Sequence, residues 1–261
     1  MFYIVSTPIG NMGDITVRAI ETLKNADYIV CEDSRVTAKL LQYHDIKKSM
    51  IVYNEHIVPR EKILALLKEG KEIALVSDAG TPLISDPGYK LIRALVAEGV
   101  EMTSVTGASS VVAALTLSGL PTDKFMFCGF APKNFAEFTD YSVTLIFFES
   151  ARRLSKTLAN MYADFGNREV AVCKELTKMY EEVVRGSLSE LVESYVPVPK
   201  GEVVIVVAGR AKTADIGDID ALLDELLPNM SLKSAVDEVA SLTNISKKVV
   251  YKHAIAKKDQ L

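Results

Sequence analysis

The chain has 261 residues, of which 49% are hydrophobic and 25% are charged, and its formal net charge at pH 7 is -4. These values are typical of a globular protein with enough apolar material for one large domain or two of ordinary size. They exclude a general polycation, so a nucleic-acid partner would have to meet a local basic surface.

Cysteine, histidine and apolar patterns argue against a disulfide framework, a metal site and a membrane span. The cysteines are odd in number, far apart and set in apolar runs, as is typical of reduced, buried thiols: Cys31, Cys128 and Cys173. The histidines form no cluster with metal-ligand spacing. The first ten residues lack the pattern of a signal peptide, and the longest apolar runs, 143–148 and 203–208, are far too short to cross a bilayer. We therefore expect a soluble cytoplasmic protein without a metal.

The first part of the chain alternates strands and helices. Apolar runs predict strands over 2–7, 27–33, 50–54, 72–78 and 101–107. The first predicted helix begins at a cap, Asp14 or Thr16, and runs through Leu23. The second follows the strand at 27–33 and ends at about Tyr43, and three more cover 59–68, 87–98 and 108–119. Continuous apolar strands separated by amphipathic helices indicate a mostly parallel sheet covered on both faces. We predict an α/β domain over residues 1–117.

After Pro121 the strands follow one another more closely. Predicted strands cover 125–130, 143–150, 169–176, 181–186 and 201–209. Fewer helices separate them, which favours a second α/β domain with a mixed sheet over residues 118–210.

The last segment, 211–261, changes composition again. Residues 211–228 hold five acidic residues and one lysine, whereas residues 229–261 hold six lysines and three acidic residues. We predict an acidic linker followed by a basic tail of two or three short helices, with the pattern of a helix-turn-helix around residues 242–257. Two interpretations stay open: a packed helical tail with a solvated lysine face, or a nucleic-acid contact.

Polar, Gly- and Pro-rich segments follow each of the first five predicted strands: 6–11, 32–35, 54–56, 77–88 and 106–110. In open parallel sheets, ligands bind beyond the carboxyl ends of the strands, so these segments predict one shared site. The dinucleotide and P-loop fingerprints are both absent. Gly80 and Pro82 would let main chain approach a ligand, which suits an adenosine with a charged amino-acid tail.

Several motifs resemble one family in the same order along most of the chain: STPIGNMGDIT (6–16), CEDSRVTAKLL (31–41), NEH (54–56), LVSDAGTPLISDPG (75–88), VTGASSVVAAL (105–115), GF-x-P-K (129–133), FFESARRL (147–154) and KGEVVIVVAG (200–209). Together they resemble the tetrapyrrole-methylase superfamily of S-adenosylmethionine-dependent methyltransferases, in particular its ribosomal-RNA branch. The resemblance implies a cofactor cleft between two α/β domains, a homodimer, and 2'-O-methylation of a cytidine in small-subunit (16S) ribosomal RNA.

The resemblance also implies which residues hold S-adenosylmethionine. They are Pro8, Asp78, Ala79, Gly80, Thr81, Ile84, Ser109, Ser110, Glu149 and Leu176. Residues 79–82 read Ala-Gly-Thr-Pro where the wider superfamily has Gly-Gly-Asp-Pro, so Thr81 replaces an acidic residue. Asp78 and Asp86 are the candidates to supply the missing charge. We also expect Ser85 or Asp86 to cap a helix that Pro87 begins.

A ribose hydroxyl is a poor nucleophile, so a general base would assist methyl transfer. Our hypothesis is that a carboxylate of Glu32 or Asp33 orients or deprotonates the hydroxyl, while Arg35 contacts a phosphate. Alternatively, Asp33 caps the next helix and pairs with Arg35.

Six further residues are candidates for substrate binding: Asn54, Glu55, His56, Lys133, Arg152 and Arg153. For His56 a structural or positioning role is favoured over base catalysis. For the two arginines, phosphate binding competes with a solvated helix face.

Three rival functions stay open. A tetrapyrrole or diphthine-type methylase would keep the fold and the cofactor and change the substrate. A nucleic-acid-binding regulator would use the basic tail, and a nucleotide-binding α/β protein would transfer no methyl group.

Overall fold

The computed structural model describes residues 1–53, 60–194, 201–211, 216–243 and 245–258. Its first five strands form a parallel sheet in the order β3-β2-β4-β1-β5. The strands are β1 Phe2–Val5, β2 Tyr28–Cys31, β3 Ser49–Val52, β4 Ile73–Leu75 and β5 Met102–Val105. The helices are α1 Val17–Asn25, α2 Ser34–Tyr43, α3 Arg60–Lys68, α4 Tyr89–Ala97 and α5 Ser110–Ser118. The predicted parallel α/β arrangement is confirmed.

Both faces of this sheet are buried, which explains its continuous apolar strands. In β2, Ile29 and Cys31 pack into one apolar cluster, and Val30 packs into another on the opposite face. The alternation follows from the two-residue period of a strand. Because helices cover both faces, the central strands β1, β2 and β4 are apolar at every position, whereas the edge strands β3 and β5 include Ser49, Thr103 and Ser104.

The second sheet is mixed and has the strand order β6-β7-β10-β8-β9. Only β6 and β7 pair in parallel; the other pairs are antiparallel. Its strands are β6 Phe125–Phe130, β7 Thr144–Ser150, β8 Glu169–Lys174, β9 Glu182–Ser187 and β10 Glu202–Val207, accompanied by α6 Leu154–Phe165 and α7 Leu188–Ser194. The predicted mixed sheet is confirmed.

Helix α5 joins the two sheets. Val111, Ala114 and Leu115 of α5 share an apolar cluster with residues of β7, β8 and β10. The Nε of Arg185 on β9 donates a hydrogen bond of 2.9 Å to the carbonyl oxygen of Leu117. The opposite side of α5 is exposed at Val112, Thr116 and Leu117, so the helix packs on the second sheet by one face. This packing places the loop before α5 beside the second sheet.

Two helix starts test the predicted caps. Thr16 caps α1, because its Oγ1 accepts a hydrogen bond of 3.1 Å from the amide of Ala19. The predicted cap of α4 is wrong. That helix begins at Tyr89 after Gly88, and no side chain caps it. Ser85 has a φ of 67° and Gly88 a φ of 128°, so the chain is still turning through these residues.

The last three helices share their own apolar core. They are α8 Ile216–Leu226, α9 Leu232–Thr243 and α10 Lys247–Lys258. The core includes Ile219, Leu223, Val236, Val239, Val250 and Ala254. The acidic and basic halves of this segment pair with each other: Asp224 binds Lys257, and His253 Nδ1 lies 3.2 Å from Asp220 Oδ1. Part of the charge contrast in the sequence therefore reflects internal ion pairing.

Within the residues that the structure describes, every helix is too short or too polar to span a bilayer.

Candidate active site

The loops after β1 and β4 are held together by their main chains. The amide of Thr7 donates to the carbonyl of Gly80 over 2.8 Å, and the amide of Gly80 donates back to the carbonyl of Thr7 over 3.1 Å. Gly80 has a φ of 79°, and a Cβ at this position would lie 3.2 Å from Cγ2 of Ile9. Glycine therefore meets two needs here, a left-handed backbone and a close approach of two loops.

Thr81 ties the loop after β5 to this pair. Its Oγ1 donates a hydrogen bond of 3.2 Å to the carbonyl of Ala108 and lies 3.1 Å from Oγ of Ser6. The hydroxyl of Thr81 thus links three loops.

These loops meet the second sheet around a cavity of about 200 Å³. All the predicted cofactor residues except Pro8 line this cavity: Asp78, Ala79, Gly80, Thr81, Ile84, Ser109, Ser110, Glu149 and Leu176. Pro8 lies between Thr7, which pairs with Gly80, and Ile9, which lines the cavity. The structure therefore brings together residues that are separated by up to about a hundred positions in the chain.

Further lining residues come from the second sheet and from the loop after β8, and sequence reasoning missed them: Phe130, Phe148, Cys173, Glu175, Lys178, Glu202, Val203 and Val204. Phe130 is 64% exposed, and its ring lies 5.7 Å from that of Phe148 in an edge-on arrangement. Gly10 approaches the loop after β8 so closely that a Cβ would lie 2.8 Å from Cγ of Lys178. These lining residues could have been anticipated from strand pairing. Because β8 and β10 pair in an antiparallel way, the end of β8 lies beside the start of β10.

The cavity is acidic. Among the described residues, its lining holds one cation, Lys178, and five carboxylates, those of Asp78, Asp86, Glu149, Glu175 and Glu202. That lysine is bound to Glu175, with Nζ 3.2 Å from Oε2. Such a lining is complementary to a ligand with positive charge.

Glu149, on β7, is a buried carboxylate with several partners. Its Oε2 accepts a hydrogen bond of 2.6 Å from Thr157, and its Oε1 accepts one of 2.7 Å from the amide of Ser150. Arg153 Nη2 lies 3.3 Å from Oε2 and also donates to the carbonyl of Ala131 over 2.8 Å. Arg153 therefore stabilises the fold around Glu149, whatever it does for a substrate.

The two acidic residues after β2, Glu32 and Asp33, lie in different environments. Asp33 Oδ1 accepts from the amide of Arg35 over 2.8 Å, and Oδ2 lies 2.6 Å from the guanidinium Nη2. These contacts lower the pKa of Asp33 to about 2. Of the two predicted roles of Asp33, the structure therefore matches the one in which Asp33 caps α2 and pairs with Arg35. A carboxylate with so low a pKa is a weak base.

The surroundings of Glu32 shift its pKa in the direction opposite to that of Asp33. Loss of hydration, followed by the charges of Asp78, Asp86 and Asp33, raises the pKa of Glu32. Glu32 also lines a small cleft of about 10 Å³ together with Ser77 and Asp86. Of the two adjacent carboxylates, Glu32 therefore has the more suitable pKa for a general base.

The predicted substrate-binding residues fall into two groups. Arg152 and Arg153 directly precede α6, whereas Lys133 lies beside the middle of that helix, where Asn160 Nδ2 donates a hydrogen bond of 3.1 Å to the carbonyl of Lys133. All three basic side chains are exposed. The other three, Asn54, Glu55 and His56, lie outside the described residues.

The cysteines are free thiols, and burial raises the pKa of Cys31 and brings those of Cys128 and Cys173 to about 11. At neutral pH such thiols are protonated and weak nucleophiles. In the part of the chain that the structure describes, no three His, Cys, Asp or Glu side chains are grouped to hold a metal ion.

Comparison with known sequences gives two family matches. Residues 1–192 match the model described as tetrapyrrole (corrin/porphyrin) methylases, and residues 213–258 match the model described as the RsmI C-terminal HTH domain. Two relatives carry the name ribosomal RNA small subunit methyltransferase I. The protein of Rickettsia prowazekii (strain Madrid E) is 50% identical over 220 residues, covering 80% of this chain and 79% of the relative. That of Mesorhizobium japonicum is 42% identical over 270 residues, covering 98% and 92%.

Solved structures show the same fold at lower identity. Uroporphyrin-III-C-methyltransferase from Thermus thermophilus superposes with a TM-score of 0.58 at 21% identity, covering 79% of this chain and 93% of that one. Diphthine synthase superposes with a TM-score of 0.60 at 14% identity, covering 79% and 89%.

Proposed function

Since the chain belongs to the ribosomal RNA small subunit methyltransferase I family, S-adenosylmethionine-dependent enzymes with the tetrapyrrole-methylase fold, we propose that it methylates the ribose 2'-hydroxyl of a cytidine in 16S ribosomal RNA. The proposed partner is the RNA of the small ribosomal subunit, and the proposed assembly is a homodimer.

The observation that carries the proposal is the acidic, partly apolar cavity with its wall of main chain. S-adenosylmethionine combines an adenine ring with a sulfonium and an amino-acid end, so its net charge is positive. Main chain of residues 79–81 and the start of α5 would hold its polar groups, and Ile84, Leu176 and Phe148 would pack on its apolar parts. The residues present therefore fit this cofactor. When bound, it supplies an electrophilic methyl group.

The chain's own residues would contribute in two ways: they would position the ribose 2'-hydroxyl, and one of them would act as a general base. Glu32 is proposed to accept the proton of the 2'-hydroxyl as that oxygen becomes methylated, because partial loss of hydration and neighbouring carboxylates raise its pKa. A base is most effective when its pKa approaches the working pH. Asp33, paired with Arg35, would then hold the start of α2 in place beside it.

RNA is proposed to approach along the basic residues that lie beside α6. Lys133, Arg152 and Arg153 would contact phosphates there, with Arg35 near the proposed base. Asn54, Glu55 and His56 remain predicted substrate contacts. Because phosphate contacts release counterions, affinity for small-subunit RNA should fall steeply with salt.

The decisive experiment is transfer of tritium from methyl-labelled S-adenosylmethionine to small ribosomal subunits and, separately, to naked 16S RNA. The labelled RNA is then digested to nucleosides. We expect the label in 2'-O-methylcytidine in at least one of the two substrates. Transfer to a base, or no transfer to either substrate, would contradict the proposal.

The tetrapyrrole alternative rests on the description of the family model and on shared fold, and the diphthine alternative rests on shared fold alone. The relatives that span nearly the whole chain, including its last three helices, are named for ribosomal RNA. To test the tetrapyrrole alternative, the enzyme is incubated with uroporphyrinogen and labelled cofactor. We expect no transfer of the label to uroporphyrinogen.

A further inference from the structure

Phe130 is an exposed aromatic side chain to which the proposed chemistry assigns no role. It lies at the end of β6, where it lines the cavity, and 64% of the residue is exposed to water. The centroid of its ring lies 5.7 Å from that of Phe148, which in turn lies 4.7 Å from that of Phe127. The three rings therefore lead from the apolar core between α5 and the second sheet to the open side of the cavity.

A β-bulge turns Phe130 toward the cavity. Along β6, Met126 and Cys128 pack against the apolar cluster on one face of the sheet, and Phe127 packs against the cluster on the other face. An uninterrupted strand would continue this alternation and place residue 130 on the face of Cys128. Instead, the pairing with β7 shifts between Phe127 and Phe130, so that three steps along β6 match two along β7. The extra residue moves Phe130 to the face of Phe127.

Gly129 supplies the backbone conformation of this bulge. Its φ is 73°, and apart from its chain neighbours no atom lies within 4 Å of the position that a Cβ would occupy. Glycine therefore serves here through its left-handed backbone and not through its small size. Bulges are frequent next to active sites, where they redirect a side chain. Core packing does not explain this one, because the ring that it redirects stays mostly exposed.

The loop after Phe130 is tied to the basic residues beside α6. Arg153 Nη2 donates a hydrogen bond of 2.8 Å to the carbonyl of Ala131, the residue that follows Phe130. Lys133, two residues further on, is exposed, and Asn160 of α6 donates to its carbonyl over 3.1 Å. The exposed ring and the cations proposed to contact phosphates thus belong to one connected unit. An aromatic ring beside cations is typical of surfaces that bind single-stranded RNA.

We propose that Phe130 stacks on the base of the nucleotide that the enzyme methylates. This inference rests on the proposed function, because it assumes an RNA substrate. An unpaired base has a flat face that an aromatic side chain can cover, and enzymes that act on one nucleotide draw it out of the helical stack. The base is joined directly to the ribose, so a base held at the open side of the cavity directs the 2'-hydroxyl toward the methyl donor inside. Phe130 is therefore a positioning residue.

Single-turnover methylation tests this role, with the RNA substrate varied at saturating S-adenosylmethionine. Phe130→Leu keeps an apolar side chain beside Phe148 but removes the aromatic face. We expect it to lower the rate at limiting RNA by about 5- to 100-fold, the range for loss of one stacked base. Affinity for S-adenosylmethionine, measured by calorimetry, should change by less than about twofold. Phe130→Tyr keeps the aromatic face and should restore the rate to within about threefold of wild type.

Phe125→Leu is the matched control. Phe125 begins the same strand and is 44% exposed, but it lies at the end of β6 opposite Phe130. This variant should methylate RNA as the wild type does. Equal losses in the two leucine variants would refute stacking, because both would then report a general effect on the sheet. A loss of affinity for S-adenosylmethionine in Phe130→Leu that matches its loss of rate would also refute stacking, because the ring would then hold the cofactor.

Tryptophan fluorescence reports the contact directly. The chain contains no tryptophan, so Phe130→Trp introduces a single indole, whose emission is quenched when a base stacks on it. We expect the RNA substrate to quench the emission of Phe130→Trp and to leave that of Phe125→Trp nearly unchanged. Unquenched emission from Phe130→Trp at an RNA concentration at which this variant methylates would overturn the proposal.

The two proposals can fail separately. If the wild-type chain methylates RNA and Phe130→Leu does so equally well, this inference fails and the proposed function stands. If the wild-type chain transfers no methyl group to either RNA substrate, the proposed function fails and this inference fails with it. Thermal unfolding of each variant confirms that it is folded before rates are compared; should Phe130→Leu not fold, quenching of Phe130→Trp decides.

Discussion

Thr157 donates a hydrogen bond of 2.6 Å from its Oγ1 to Oε2 of Glu149, across the turn that joins β7 to α6. Both residues are nearly inaccessible to water, at 3% exposure each. The bond therefore supports a buried carboxylate in the cavity wall. Buried carboxylates need such hydrogen bonds, because an oxygen that loses its hydration without gaining a protein partner destabilises the folded state.

Replacing Thr157 with valine should lower the free energy of unfolding by about 1 to 3 kcal/mol, since the shape is kept and Glu149 loses a buried donor. Thr22→Val is the control, because Thr22 donates a comparable bond of 2.7 Å to the carbonyl of Arg18 at an exposed position. Urea unfolding of both variants gives the two values. Equal losses would mean that burial of the acceptor is unimportant.

Gly80→Ala should reduce both stability and cofactor affinity. A left-handed φ costs alanine about 1 to 2 kcal/mol, and the new Cβ would press on Ile9 in the loop that pairs with residue 80. Gly99→Ala has a similar φ of 67° with nothing within 4 Å of the new Cβ. Both variants should lose stability, but only Gly80→Ala should weaken S-adenosylmethionine, by about fivefold or more. Calorimetry that shows unchanged affinity in Gly80→Ala would argue against main-chain recognition by this loop.

Asp33 should contribute stability that depends on pH. Its pKa falls from an ordinary value of 3.8 to about 2 because Arg35 binds the charged form. A lowered pKa in the folded state means that the contribution is present above about pH 4 and is lost as the pH falls toward 2. In Asp33→Asn the difference from wild type should shrink over that interval.

Asparagine also caps helices well, so Asp33→Asn keeps the cap and removes the charge, whereas Asp33→Ala removes both. The alanine variant should therefore be less stable than the asparagine variant at every pH. A wild-type advantage that stays constant from pH 5 to pH 2 would show that the ion pair with Arg35 adds nothing.

Glu32→Gln should slow single-turnover methylation by about 100-fold or more if Glu32 is the base. In the wild-type enzyme the rate should rise with pH as Glu32 loses its proton. That rise should occur above the ordinary range of glutamate, because the pKa of Glu32 is raised. In the variant this rise should disappear. Asp33→Asn should retain the rise, and a full rate in Glu32→Gln would remove Glu32 from the mechanism.

The basic tail should matter for RNA through the exposed lysines of α10. Lys248 and Lys252 lie one turn apart on exposed positions, beside Tyr251, which is 48% exposed. Lysines that contact phosphates steepen the dependence of affinity on salt, by about 0.7 to 0.9 in log-log slope for each contact. The variant Lys248→Ala/Lys252→Ala should therefore bind small-subunit RNA more weakly and with a shallower slope. Lys24→Ala/Lys68→Ala is the control for charge loss elsewhere; an equal effect would favour a tail whose lysines are only solvated.

Much of the first sheet follows from local sequence. The runs around Ile29, Ile51 and Ala74 are strands because their residues are apolar on both sides of the pleat, and Thr16 caps α1 because a hydroxyl before a helix can accept an orphan amide. The loops after successive parallel strands converge by topology, which is why most of the predicted cofactor residues line one cavity. These features depend on neighbours in the chain or on the direction of the strands.

Other features were decided by contacts that have no local signature. In the acidic pair after β2, the contacts of Asp33 with Arg35 are local, whereas the raised pKa of Glu32 comes from loss of hydration and from Asp78 and Asp86, which only the fold brings near. Phe130 and Lys178 reach the cavity because the second sheet packs against α5. The sequence by itself determined the strands, the parallel sheet and the loops that form the site, because these follow from apolar periodicity and strand direction. Only the tertiary structure decided which carboxylates lose hydration and lie near other charges, because the burial of Glu149 and the charges of Asp78 and Asp86 near Glu32 depend on residues distant in the chain.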